Sequence, residues 1–370
     1  MKINFIFFKK VDWALVVALL LLIGVGLAAI YSVALGQGKG EFLNFRKQVA
    51  WLILGMVFLL ALSNFNYRYW LKLGWVGYLI ALIFLILVLT PLGATIRGTR
   101  GWFSFANMTF QPVEMMKFFL VIVLADVYSR YGRTIHKFGQ LVLVSLAAFL
   151  PVVLVALQPD FGSATILFFL WFISFILITK NKKHIFIILG GILVALVISW
   201  FFIFADYQKS RLVTFVSPSS DPLGSGYNVQ QSLIAVGAGK FFGRGLGFGS
   251  QSQLKFIPES QTDFIFAVIA EELGFVGVGL LLALFGFIFY RLYRIASGAP
   301  DDFAMFLAFL VLILIFIQVF INIGMSVGFL PVTGISLPFV SYGGSFLISA
   351  LSLIGICLNV YRAGLTARKY

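Results

Sequence analysis

Apolar residues occur along this chain in long blocks, broken by short polar and basic interruptions. A helix needs about 20 apolar residues to cross the hydrocarbon of a bilayer. Ten blocks meet or approach that length, near residues 12–34, 48–63, 71–91, 112–129, 138–157, 161–179, 184–204, 264–290, 303–330 and 341–362. They predict an all-α polytopic membrane protein, a single transmembrane domain over residues 1–370. Two connections on one side are long, 92–111 and 205–262, the second lying between helices 7 and 8 and rich in Gly, Ser, Pro and Gln. Loops of that length are usually functional when they are ordered. The first block follows Lys9 and Lys10 and is too long for the apolar stretch of a signal peptide, so it reads as a retained membrane helix.

Composition sharpens this picture. Of 370 residues, 61% are hydrophobic and 11% charged, against about 25% charged in soluble domains. A water-soluble enzyme, a secreted disulfide scaffold and a disordered tail are all excluded. The net charge of +14 is spread in small clusters between spans, which is how membrane proteins mark cytoplasmic loops. It does not indicate nucleic acid. Sixteen Lys and Arg fall on one set of alternate loops and ten on the other, five of those ten in the single long loop. Both termini are therefore expected in the cytoplasm, with the two long loops outside. The lone Cys357 sits in an apolar run, and His136 and His184 lie in basic stretches without metal-ligand spacing.

With only 13 acidic residues, each one near a membrane calls for a reason. Asp12, Asp301 and Asp302 read as inner-surface residues, and Asp126 can pair with Arg130 at i+4. Glu114 and Lys117, three apart behind Pro112, share a face at the outer end of the fourth span. They make either a structural ion pair or part of a polar cavity. Asp160, in Gln158-Pro159-Asp160, either caps the sixth helix or faces the same outer region. Asp263 shares a helical face with Ala267, Ala270 and Gly274, so it enters the bundle rather than lipid. Glu271 and Glu272 lie deeper, which suggests a broken or re-entrant helix over 263–273 with the uninterrupted span starting near Gly274. The run Gly239–Gly249 is either a flexible turn or a cradle in which amides and Arg244 hold a phosphate. No nucleotide-binding loop of the GxxxxGK[ST] type exists, so chemistry at an outward cavity needs a pre-activated substrate or an ion gradient.

Four segments carry a resemblance: FQPVEMMK at 110–117, LQPDFGSA at 157–164, the stretch 221–275 ending in IPESQTDFIFAVIAEELGF, and LPVTGISLPFVSYGGSFL at 330–347. Together they resemble the SEDS family (shape, elongation, division and sporulation proteins), membrane glycosyltransferases of bacteria with ten spans. The string GSQSQLKFIPESQTDFIFAVIAEELG and the short N-terminal tail are most similar to the family's elongation member. The resemblance implies polymerisation of lipid II on the outer face of the cytoplasmic membrane, with release of undecaprenyl pyrophosphate. It places the essential aspartate at Asp263, the Glu/Lys pair at Glu114 and Lys117, and the QPD aspartate at Asp160. It further implies a class B penicillin-binding protein as partner within an elongation complex. Asp263 is the expected general base. Lys117, with Arg211 or Arg244, would stabilise charge on the pyrophosphate, Glu114 would orient Lys117, and Gln231 is a further candidate for substrate contact. The sequence identifies no cofactor, and a divalent cation could share the charge. A lipid II flippase, or a non-catalytic scaffold for the transpeptidase, are the competing expectations.

Overall fold

The structure is a computed structural model that describes residues 11–37, 39–96, 98–105, 108–131, 138–179, 182–198, 201, 208–209, 213–215 and 224–367. Among the described residues ten long helices match the ten apolar blocks: α1 (Trp13–Gln37), α2 (Lys39–Asn64), α3 (Trp70–Leu87), α4 (Pro112–Tyr131), α5 (Phe138–Ala156), α6 (Phe161–Ile178) and α7 (Lys182–Ile198). After two short helices, α8 (Ser225–Ala238) and α9 (Ser250–Gln253), come α10 (Ile265–Ser297), α11 (Asp302–Ser326) and α12 (Gly344–Ala367). Among the described residues seven helical segments are long and apolar enough to cross a membrane, and shorter apolar helices lie within α5 and α7. The remaining long helix, α4, carries Glu114, Lys117, Asp126 and Arg130.

Lipid tails are as apolar as leucine, so helices in a bilayer associate by close packing and hydrogen bonding. Here α12 lies along α2, α4 sits among α3, α11 and α5, and α10 packs on α1, α11 and α8. Helices α4 and α11 are the most enclosed, with side chains such as Val121, Leu124, Leu307 and Val311 fully buried. The first long loop is more ordered than its sequence suggests. It forms an antiparallel meander of β1 (Ala94–Ile96), β2 (Thr99–Phe105) and β3 (Met108–Phe110), with Phe103 opposite Phe110.

The expected break in the eighth long helix falls at Gly274, where φ is 64° and ψ is −162°. A break at membrane depth frees backbone groups that lipid cannot satisfy. The glycine-rich run fills that gap. The amides of Arg244 and Gly245 donate to the carbonyls of Glu271 and Glu272 at 3.0 and 2.9 Å, and those of Phe275 and Val276 donate to Lys240 and Phe241 at 2.9 and 3.1 Å. The run is thus neither a flexible turn nor, in its Arg244 and Gly245 amides, an anion cradle; it is a backbone splint. Glu271 accepts from the amides of Gln251 and Ser252, and Glu272 Oε1 accepts from the Ser32 hydroxyl at 2.6 Å, while Glu272 Oε2 is buried with no hydrogen-bond partner among the described residues. A Cβ on Gly274 would collide with backbone at Phe242 and Gly243. Gly274→Ala is therefore expected to cost more than the ~1–2 kcal/mol of a left-handed residue alone. Thermal unfolding in detergent checks this, with Gly279→Ala as the control, since Gly279 faces open space on the same helix.

The opposite end of the bundle is tied by ion pairs. Asp12 corrects the sequence reading: it is 1% exposed, caps α1 through the Leu15 amide and pairs with Arg291 of α10 at 2.6 Å. A carboxylate at a helix start looks like a surface residue until its partner, 279 positions away, is known. Asp126 does pair with Arg130 at 2.7 Å and also accepts from the Trp75 indole at 2.8 Å.

Candidate active site

At the sheet-bearing end of the bundle lies a cavity of about 680 Å³. Six stretches of chain wall it: α2 through Asn44 and Trp51, the sheet through Trp102 and Thr109, the start of α4 through Glu114 and Lys117, the turn before α6 through Asp160, residues 255–263, and residues 333–346. Glu114, Lys117, Asp160 and Asp263 thus share one polar chamber, the convergence that the topology of the chain predicts.

Pro112 opens α4 in the first turn, where a missing amide hydrogen costs nothing. One turn on, Glu114 Oε1 and Lys117 Nζ meet at 2.5 Å with side chains only 7% and 3% exposed. The ammonium also lies 5.3 Å from the centre of the Phe346 ring, and Ser349 of α12 holds the Glu114 carbonyl at 3.0 Å. Both readings of the pair hold together, since it is a buried ion pair and it faces the cavity. The same is true of Asp160. Its Oδ1 caps α6 by accepting from the Ser163 amide at 2.9 Å, and its Oδ2 accepts from Gln111 at the cavity wall at 3.2 Å.

Asp263 comes at the end of a tight turn that precedes α10. The amides of Thr262 and Phe264 both donate to the Glu259 carbonyl, and Glu259 adopts φ 54° to allow it. The turn is strapped to the 333–346 segment: the Ser341 hydroxyl donates to the Thr262 carbonyl at 2.6 Å, and the Tyr342 amide donates to the Gln261 carbonyl at 2.8 Å. Gly334, at φ 74°, passes close beside the carboxylate; a Cβ there would stand 3.5 Å from Asp263 Oδ2. On the next turn Ala267 is fully buried, as expected for a face of small residues. Irregular backbone such as 333–343 is tolerated at membrane depth where it lines a cavity.

Two of the sequence candidates stand elsewhere. Gln231 on α8 does not line the cavity. Arg244 does not either; its guanidinium donates to the Ser250 hydroxyl at 2.8 Å. Arg211 lies outside the described residues. Conversely, Lys255, Glu259, Trp102 and Tyr342 line the chamber without having been singled out by sequence. Lys255, Glu259 and Tyr342 fall within the segments of resemblance and Trp102 in none of them; a wall made of six distant stretches is invisible to local spacing. Among the described residues no group of three or more His, Cys, Asp or Glu side chains is arranged to hold a metal ion. A carboxylate and a buried ammonium facing one polar chamber can remove a proton from a hydroxyl and steady an anion formed beside it.

The cell cycle protein family FtsW/RodA/SpoVE matches residues 12–364. The chain is 38% identical over 363 residues to stage V sporulation protein E of Bacillus subtilis, covering 95% of this chain and 97% of that one. It is 37% identical over 363 residues to the peptidoglycan glycosyltransferase MrdB of Escherichia coli, covering 96% and 95%. A probable peptidoglycan glycosyltransferase FtsW of Thioalkalivibrio sulfidiphilus is 34% identical, covering 96% and 90%. Among solved structures, a chain of a peptidoglycan synthase complex that coordinates polymerization and crosslinking superposes with TM-score 0.81 at 30% identity, covering 96% and 98%. The rod shape determining protein RodA of Thermus thermophilus superposes with TM-score 0.71 at 29% identity, covering 95% and 97%.

Proposed function

The chain belongs to the FtsW/RodA/SpoVE family and is a multi-pass membrane peptidoglycan glycosyltransferase, and from that premise we propose that it polymerises lipid II into glycan strands during cell elongation. The cavity opens on the outer face of the cytoplasmic membrane in this reading, and both termini lie in the cytoplasm. The observation that carries it is the placement of Asp263 in one chamber with the buried Glu114–Lys117 pair and Asp160. Asp263 takes the proton from the 4-hydroxyl of the acceptor sugar as that oxygen attacks the anomeric carbon of the donor. The new glycosidic C–O bond forms while the C–O bond to the diphosphate breaks. Undecaprenyl pyrophosphate leaves with the electron pair, and Lys117 steadies its charge. Inversion at an α-linked donor gives a β-1,4 linkage in one displacement. One base suffices because the diphosphate leaves without a proton donor, unlike the paired carboxylates of glycosidases.

A class B penicillin-binding protein is the proposed partner, in keeping with the likeness to a chain of a synthase complex. The assignment to elongation rests on the segment 249–274 and competes with division and with sporulation, the role for which one relative is named. Purified protein with its partner, incubated with fluorescent lipid II, is expected to give a polymer ladder on a gel. Transbilayer movement of lipid II without polymer would replace the transferase by a flippase. Depletion in the native cell is expected to give rounded cells; filaments would reassign the protein to division.

A further inference from the structure

Helix α11 is the most apolar of the candidate spans, with mean hydropathy 3.0, yet near its C-terminal end it carries Asn322, which is fully buried. A carboxamide in such a place is costly unless its hydrogens are used. Both are used, and neither goes to α11. Asn322 Nδ2 donates to the carbonyl of Asp263 at 2.8 Å and to the carbonyl of Ile335 at 2.7 Å. Both partners are acceptors, so only the nitrogen end of the amide can face them. The two carbonyls belong to different walls of the chamber. One is the backbone of Asp263 itself. The other follows Gly334, whose close passage beside Asp263 Oδ2 sets the room around the carboxylate. Behind it the Ser326 hydroxyl donates to the Asn322 backbone carbonyl at 2.9 Å and Ser232 of α8 donates to the Ser326 carbonyl at 2.7 Å, whereas the carboxamide Oδ1 has no hydrogen-bond partner among the described residues, so the side chain is held through its nitrogen alone.

We propose that Asn322 is a positioning residue for glycosyl transfer, setting the height and tilt of Asp263 by joining its carbonyl to that of Ile335 on the rigid frame of α11. This rests on the reading of Asp263 as base. Asn322 acts through backbone and touches no reacting atom. A rigid helix is a better mount for a base than two loops are, and a base misplaced by about 1 Å can lose roughly 10²-fold in rate.

The test is steady-state lipid II polymerisation by the full chain with its partner. Asn322→Leu is expected to lower kcat by roughly 10²-fold while KM for lipid II changes by less than about threefold. Asn322→Asp keeps the volume but turns oxygens toward both carbonyls; it is expected to be impaired in kcat and to recover part of it as pH falls and the acid regains a donor. Ser326→Ala, which loses the bond behind Asn322 but not those in front, is expected to stay within about twofold of the parent. The proposal is overturned if either Asn322 variant keeps the parental kcat, if KM alone rises, or if both variants fail to fold. Asp263→Asn, assayed alongside, separates the two ideas: an active Asp263→Asn protein removes the base assignment itself, whereas an inactive one beside a fully active Asn322→Leu protein removes only the positioning role.

Discussion

Asp263→Asn is expected to reduce lipid II polymerisation by about 10²–10⁴-fold, the range that a positioned general base supplies, while leaving the protein folded in the membrane. The substitution keeps size and shape. Because the turn around Asp263 is held through backbone groups of residues 261–263, loss of one side-chain charge does not unstrap it. Asp160 and Glu114 are poorly placed to substitute. Asp160 uses both oxygens, one on the Ser163 amide and one on Gln111, and Glu114 is bound to Lys117. Asp263→Glu is expected to stay strongly impaired, since one extra methylene shifts the carboxylate by more than the tolerance of a near-attack geometry. Polymer ladders with fluorescent lipid II, together with thermal unfolding of each variant, decide the matter. Parental activity in Asp263→Asn would move the base to another residue of the chamber.

Much of this architecture was legible from sequence, and for a clear reason. The apolar blocks are long, and in a bilayer nothing but a helix or a closed barrel satisfies the backbone, so ten blocks translate directly into ten helices. The chamber's charged residues were legible too, because acids are scarce in this chain and each had to be explained. The break at Gly274 was legible through Glu271 and Glu272, two acids too deep for a plain span. Most of what escaped has its partner far away in sequence. Glycines 239–249 look like an anion cradle until Gly274 is known to free the carbonyls of Glu271 and Glu272 for the Arg244 and Gly245 amides. Asp12 looks solvated until Arg291 is brought to it. Strands β1 and β3, three residues each, are too short for alternation to register. Asn322 had a usable signal, one of two carboxamides, with Gln318, in a strongly apolar helix, but nothing local says which carbonyls it serves.

Glu114→Ala is expected to be the most destabilising single change in the chamber, and its repair tells structure from catalysis. Removing one partner of a buried pair leaves the other charge uncompensated, at a cost of about 3–5 kcal/mol; here the stranded group is Lys117, whose side chain is only 3% exposed. Replacing both partners by apolar residues of similar size is usually neutral or stabilising, so Glu114→Leu combined with Lys117→Met is expected to regain the parental unfolding temperature. If the pair only neutralises itself, that stable double variant also regains polymerisation. If Lys117 steadies the departing diphosphate, the double variant is stable yet slowed by about 10²–10³-fold, the usual cost of losing one preorganised group at a site of developing charge. We expect the second result. The ammonium sits in the cavity wall beside the Phe346 ring, and its only ion-pair partner among the described residues, Glu114, lines the same chamber. Measuring unfolding temperature and polymer yield on the same three proteins separates the two contributions, because a purely structural pair must restore both quantities together.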